Sequence, residues 1–381
     1  MDYSPQNAIF LILIVWAIVF SLGRLLHLER RGIDVKPLYL MFKTKRFNDI
    51  MVRTASRHPA FWKTYGNLGI IASVPLISLA VYTLAMNLYR FVYAPNSATP
   101  VIPVVPGVTI SLTYVPYILL AFGIAVTIHE GAHGTTASAE KIGLKSSGII
   151  IAPITFGGFV EPDEEQFEKA NVTSRLRVLA SGSFTNLLAG MVTVLLLLAL
   201  FSPRAGVLIT SIQPNGPAAE AEMHGWDVIY AINQSPIENY SALHQTLAGL
   251  APGDVVLVDT QRGEFLLTTS ANPQNSSIAF LGITSLVGYV YHPLRIGEFS
   301  TLLTYNLSLS LDWIQLVMIN LAILNMLPMF PLDGDGFVYS ILKYKLNRRA
   351  DAARTVINII SFGLLGLNIA LSFIRYGVTP F

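Results

Sequence analysis

Thr127-Ile128-His129-Glu130-Gly131-Ala132-His133-Gly134 follows directly on Tyr117-Ile118-Leu119-Leu120-Ala121-Phe122-Gly123-Ile124-Ala125-Val126, an apolar stretch without a charge. His129 and His133 are four positions apart, so on a helix they lie within about 40° of each other on one face. Two imidazoles so placed can share a zinc ion, with Glu130 beside them as a base for water. The plainer alternative is a helix end whose His and Glu meet the aqueous interface. Ionisable groups at membrane depth are costly and mark function by default, which favours the metal reading.

The composition sets the surroundings. Of 381 residues, 52% are hydrophobic and 13% charged, and mean hydropathy is +0.54. A span needs roughly 20 apolar residues, so a polytopic α-helical membrane protein with a modest soluble part is predicted. The chain has no cysteine. Disulfides are therefore excluded, and a zinc site must draw on His and carboxylates. The N-terminus lacks a basic region, and Ser21-Leu22-Gly23-Arg24 is a poor cleavage site, so the first apolar stretch reads as a retained span. No basic tract with interleaved aromatics points to nucleic acid.

Six spans are expected, at about 8–26, 66–89, 115–139, 174–201, 299–327 and 353–374. Between Arg24 and Lys63 stand ten Lys or Arg against Glu29, Asp34 and Asp49. That excess predicts a cytoplasmic loop, solvated and facing lipid headgroups, with both termini outside. Residues 91–116 carry no charge, as suits an outer loop. Residues 149–160 are apolar but too short to span, are rich in β-branched side chains, and hold Pro153 and Gly157-Gly158. They read as a re-entrant β-hairpin, with an interfacial loop as the alternative. Residues 204–290 shorten to strand-length runs with frequent turns and read as a small α+β soluble domain on the outer side. The chain thus divides into accessory spans with the basic loop (1–110), a first core segment (111–203), the soluble domain (204–290), a second core segment (291–345) and a last span (346–381).

A catalytic zinc takes three protein ligands and keeps an open position. A third His ten residues after the first would stand at position 139, which is Ala139, and the Gly expected at position 136 is Thr136. No Glu follows Glu298. The carboxylates left at a suitable depth are Asp333 and Asp335, after Pro328 and Pro331 interrupt the fifth span. Asp333 is the expected third ligand, with Asp335 as the rival. Two solvated aspartates at a helix end are the plain alternative. Asn186, in the fourth span, either joins helices or points into the site. His27, His58, His224, His244 and His292 have no expected metal role.

Taken together, His129-Glu130-x-x-His133, Asn325-x-x-Pro328-x-x-Pro331-Leu332-Asp333-Gly334, Phe156-Gly157-Gly158-Phe159-Val160-Glu161 and Gly182-x-x-x-Asn186 resemble the site-2 proteases, a family of intramembrane zinc metalloproteases. The resemblance covers roughly residues 115–342, and the chain departs from it at Asp335, where a second Gly is usual. The stretch from Gly225 to Ile237 is similar to a PDZ domain. The resemblance implies one catalytic zinc on His129, His133 and Asp333, Glu130 as general acid and base, and Asn186 as a donor to the oxyanion or substrate. It also implies Gly157, Gly158, Phe159 and Asn325 as substrate-binding positions. Expected substrates are single-span membrane proteins trimmed on the outer side, with the PDZ-like domain as filter and the cell membrane as location. The rival reading is a membrane scaffold, or a pseudoprotease, that acts through the PDZ-like domain alone.

Overall fold

The computed structural model describes residues 5–153, 155–297 and 299–377. In chain order it forms helix α1 (Pro5–Leu25), strands β1 (Ile33–Lys36) and β2 (Tyr39–Thr44), α2 (Arg46–Arg57), α3 (Pro59–Tyr93), α4 (Val115–Ala139), β3 (Leu144–Ala152), β4 (Thr155–Pro162), α5 (Glu164–Lys169) and α6 (Val172–Leu200). Then come β5 (Gly206–Ile212), α7 (Pro217–Glu220), β6 (Val228–Ile232), β7 (Ser235–Pro236), α8 (Tyr240–Ala248), β8 (Val255–Thr260), β9 (Gly263–Thr268), β10 (Ser270–Asn272), β11 (Asn275–Phe280) and β12 (Ile283–Tyr291). The chain closes with α9 (Thr301–Asn325), α10 (Asp333–Leu346) and α11 (Ala350–Tyr376).

Five helical stretches, at Pro59–Tyr93, Leu112–Ala139, Val172–Leu200, Thr301–Asn325 and Asp333–Tyr376, are long and apolar enough to cross a membrane. The expected first span is shorter, with its apolar helical part at Ile9–Leu25. At about 1.5 Å per residue, those 17 residues rise roughly 25 Å, against a hydrocarbon core of about 30 Å. The last stretch holds two helices, α10 and α11, which fold back on each other at one short turn, as the bonds from Tyr339 to Asp351 and from Arg354 to Asp335 show, and the expected last span, 353–374, falls within α11. Residues 1–4 and 378–381, on which the expected placement of the termini bears, lie outside the described residues, as do residues 154 and 298.

The chain forms two compact units, residues 1–192 with 313–381, and residues 193–312. In the first, β3 and β4 pair as the expected antiparallel hairpin, from Leu144↔Pro162 to Ala152↔Thr155. The basic loop differs from its expectation. It is not merely a solvated tether: β1 and β2 form a second hairpin, and β2 pairs with β3 from Leu40↔Ile151 to Thr44↔Ser147. A four-stranded antiparallel sheet β1-β2-β3-β4 results. Its register sets both hairpin turns at one end, where Trp16 Nε1 of α1 donates to the Pro37 carbonyl at 2.7 Å. Gly148 permits the join, since a Cβ there would lie 1.8 Å from the Phe42 carbonyl oxygen. Exposed Lys36 and Lys43 stand within the strands, next to Val35 and Phe42, so the charge excess hides the strands. α2 then lays Met51 and Ala55 inward and leaves Phe47, Ile50 and Val52 exposed among its arginines.

Within the same unit, α3 and α11 are joined at membrane depth by polar side chains. Asn87 Nδ2 donates to Asn368 Oδ1 at 2.9 Å, and Asn368 Nδ2 donates to the Leu84 carbonyl at 3.0 Å. Buried amides in apolar helices hold their partners because hydrocarbon offers no alternative.

The second unit extends beyond the expected domain by taking in the adjoining ends of α6 and α9. Its sheet has the order β12-β5-β6-β8-β9, with β7 paired to β6. Val207, Ile209, Met223, Ile229, Val256 and Val258 fill the core. Asp227 is buried, and burial alone would raise its pKa. The hydrogen bonds of the Arg262 guanidinium and the His224 N–H outweigh that and hold it below the usual carboxylate range. A depressed folded pKa means stability present above the unfolded value, about 3.9, and lost as pH falls through the folded one. Arg262→Gln is therefore expected to destabilise this unit by about 1–3 kcal/mol at neutral pH and to flatten its acid transition. Hydrogen exchange of residues 206–291 measured against pH tests this, and an unchanged acid profile refutes it.

Candidate metal centre

Three side chains from two distant parts of the sequence converge at one point. α4 carries His129 and His133 one turn apart, and both are buried. α9 ends at Asn325, the proline-interrupted segment turns the chain, and α10 begins at Asp333. His129 Nε2 and His133 Nε2 are 3.1 Å apart, and each is 3.1 Å from Asp333 Oδ2. A tetrahedral zinc with bonds of about 2.0–2.1 Å sets its ligand atoms roughly 3.3 Å apart. The three atoms thus form a nearly equilateral face of the right size, and the donor set of two imidazoles and a carboxylate suits zinc.

The surroundings orient these donors. His133 Nδ1 lies 2.7 Å from the Val178 carbonyl of α6. That carbonyl only accepts, so Nδ1 carries the proton and Nε2 keeps its lone pair for a metal. Gly182, one turn along α6, makes the approach possible. A Cβ there would stand 2.4 Å from His133 Nε2 and 2.7 Å from His129 Cε1. Asn186, fully buried, sets its amide 3.3 Å from His129 Nδ1, while its own Oδ1 has no hydrogen-bond partner. An amide whose two ends are exchanged occupies the same volume. Its oxygen then accepts from Nδ1–H, and His129 Nε2 is left free for a metal.

Glu130 stands beside the pair but points at the hairpin, where its Oε2 accepts from the Val160 N–H at 2.9 Å. Gly158 lets β4 come this close, because a Cβ there would lie 2.7 Å from Val126 Cγ1 and 3.1 Å from Glu130 Cγ. The hairpin therefore touches the base directly. Asn325 Nδ2 is 3.4 Å from His129 Nε2, nearer the triad than a purely structural reading requires.

The rivalry between the two aspartates is decided by partners. Asp335 is buried and bound by Arg354, with Nε at 3.0 Å and Nη2 at 2.5 Å, and by Asn358 Nδ2 at 2.7 Å. Asn358 Oδ1 in turn accepts from the Phe330 N–H. Asp335 thus fastens the proline segment to α11 and is not among the three converging donors. The signal for this was in the sequence as Arg354 and Asn358, one helical turn apart. Asp333→Asn is expected to lower zinc content to background, whereas Asp335→Asn keeps a measurable fraction of it. Metal analysis of the two purified variants decides the point, and the reverse order overturns the assignment.

Of the sequence-predicted positions, His129, His133 and Asp333 meet at the triad, with Glu130, Asn186 and Asn325 around it. Gly157 and Phe159 lie on β4 but make no contact with the triad among the described interactions. Sequence reasoning missed the packing role of Gly182.

Comparison with known proteins gives a consistent result. The sequence profile of peptidase family M50 matches residues 117–367. An uncharacterized protein from Methanocaldococcus jannaschii is 26% identical over 339 residues, which cover 88% of this chain and 85% of that one. The membrane-bound transcription factor site-2 protease homolog of Arabidopsis thaliana is 26% identical over 149 residues, 39% of this chain and 29% of that one. A candidate zinc metalloprotease of Clostridium perfringens is 27% identical over 184 residues, 42% of this chain and 54% of that one.

Proposed function

Because the chain belongs to peptidase family M50, we propose that it is an intramembrane zinc metalloprotease that cleaves a membrane-spanning segment of single-span proteins. The observation that carries this reading is the His129–His133–Asp333 triad, closed between helices long and apolar enough to span a bilayer. A zinc ion held there supplies Lewis-acid polarisation of the scissile carbonyl and a water acidic enough to attack at neutral pH.

The chain's own residues do the rest. Glu130 takes a proton from the attacking water and delivers it to the leaving amine. Asn186 is a positioning residue, since its amide is spent on His129. Asn325, half-buried and 3.4 Å from His129 Nε2, is the better candidate to donate to the substrate carbonyl. A substrate helix must unwind before its peptide bonds are accessible. An extended segment then finds a template in the sheet. β2 covers β3, so the strand edge beside Glu130 is that of β4. By strand alternation Gly158 and Val160 face that edge together. A substrate strand that pairs there takes over the Val160 N–H and releases Glu130 for proton transfer.

In this reading α1 is the sixth span, the active site lies toward the cytoplasm, and residues 204–290 are a PDZ-like filter on the outer side. The basic residues of 24–63 support that orientation. Cleavage of a tagged one-span protein by the purified full chain, with the product mapped by mass spectrometry, tests the proposal. Cuts inside the span that stop with a chelator and return with zinc are expected. Cuts only outside the span, or insensitivity to chelator, sink it. The scaffold alternative predicts no cleavage at all.

A further inference from the structure

Two cavities share a wall where the chain leaves one apolar helix and enters the next. α6 ends at Leu200 and α9 begins at Thr301. The connecting segments are stapled there. The Arg295 N–H donates to the Leu200 carbonyl at 2.8 Å, the Ser202 N–H to the Pro293 carbonyl at 2.8 Å, and Arg295 Nε to the Phe201 carbonyl at 2.7 Å. The staple brings the ends of two spans to one level, which is where hydrocarbon gives way to lipid headgroups.

On one side of the staple lies a slot of about 610 Å³. Leu197 and Leu198 of α6, with Phe201 just beyond it, form one wall, and Ser308 and Asp312 line its α9 side. On the other side lies a bowl of about 840 Å³, lined by Arg204, Trp226, Arg262 and the first residues of α9. Arg295 lines both.

Among the described residues, three arginines line the bowl and two of them are paired with acids. Arg204 pairs with Asp259 at 2.7 Å and Arg262 with Asp227 at 2.6 Å. Among the described interactions Arg295 binds only the Phe201 carbonyl through its side chain. The positive end of the α9 dipole adds to it. Trp226 lines the bowl, 37% exposed, with φ of 73° and its ring centroid 6.2 Å from that of Tyr305. That left-handed conformation suits glycine and strains a bulky residue. The backbone gains nothing from a tryptophan there, so what the position supplies is the indole, in a ring system that favours the headgroup level.

We propose that the two cavities together hold one membrane phospholipid. Its phosphodiester sits in the bowl beside Arg295 and the start of α9, and an acyl or isoprenoid chain lies along the apolar α6 wall of the slot. The shared chemistry with free phosphate is the anion; the adjoining slot at span level favours the lipid. This reading does not depend on the proteolytic one.

The test uses the full chain in nanodiscs of phosphatidylcholine mixed with phosphatidylglycerol, extracted gently and weighed by native mass spectrometry. Wild type is expected to retain one phosphatidylglycerol. Arg295→Gln is expected to weaken retention about fivefold or more, the worth of one basic contact at a membrane surface. Arg295 also serves the staple, so Trp226→Gly is the second variant. It leaves the hydrogen bonds of the staple in place and removes only the indole, so lipid retention is expected to fall. Arg24→Gln, outside both cavities, is the control and should retain lipid as wild type does. Equal retention by wild type and Trp226→Gly overturns the proposal. Competition by inorganic phosphate overturns the lipid assignment in favour of a free-anion site. Absence of cleavage by wild type that retains the lipid would count against the proteolytic reading alone.

Discussion

Replacing Glu130 with Gln is expected to lower cleavage of a one-span substrate by about 10²–10⁴-fold, the usual worth of a positioned general acid and base. The amide is nearly isosteric, so packing against Val126 and Gly158 survives. The hydrogen bond from the Val160 N–H also survives, because an amide oxygen still accepts it. What disappears is the ability to take up a proton. The His129–His133–Asp333 triad is untouched, so zinc content should match wild type. The informative result is therefore a pair: full metal and almost no product. Wild-type turnover by this variant would remove Glu130 from the mechanism. Loss of metal together with turnover would instead make Glu130 a structural neighbour of the site.

The second large effect is expected from a single methyl group. Gly182→Ala puts a Cβ 2.4 Å from His133 Nε2 and 2.8 Å from His129 Nδ1. Carbon and nitrogen cannot approach so closely, so either α6 moves off α4 or both imidazoles turn. Turning His133 breaks its bond to the Val178 carbonyl, and turning His129 breaks its contact with Asn186. Losing such orienting bonds costs about 10–100-fold in metal affinity. Two are lost together here, so zinc content should fall at least that far, and cleavage with it. Gly131→Ala is the matched control. It lies inside the His129–His133 motif itself, yet a Cβ there meets nothing within 4 Å. It should keep its zinc and gain slightly in helix stability, by about 0.5–1 kcal/mol. If Gly131→Ala loses metal while Gly182→Ala keeps it, the packing between α4 and α6 described above is wrong.

These two glycines show what the sequence could and could not reveal. A four-residue spacing fixes two imidazoles on one helical face, and elimination of other donors leads to the aspartates at the proline break. Those arguments need only local geometry and the scarcity of charge in lipid. Gly182 required more, because a glycine is costly to replace only where another helix occupies the missing Cβ. Asp335 became a fastener once Arg354 and Asn358 were placed on the neighbouring helix. The sheet in the basic loop was hidden for a different reason. Ten cations in forty residues read as solvated, and Lys36, Lys43 and Lys45 are exposed, yet they sit on or beside strands that pair. Strand partners that distant leave no periodic mark of their own.

The join between β2 and β3 has a consequence for synthesis. Phe42 pairs with Ile149, so β2 leaves the ribosome about a hundred residues before its partner. At about 5–20 residues per second, the interval is roughly 5–20 s. For that time a finished hairpin offers an open edge at the membrane surface while two long helices are still being inserted. Lysines along and beside an edge discourage pairing with other nascent chains, and those of this hairpin stand where such protection is needed. Basic residues that look like a topology signal thus also serve as a temporary guard during biogenesis.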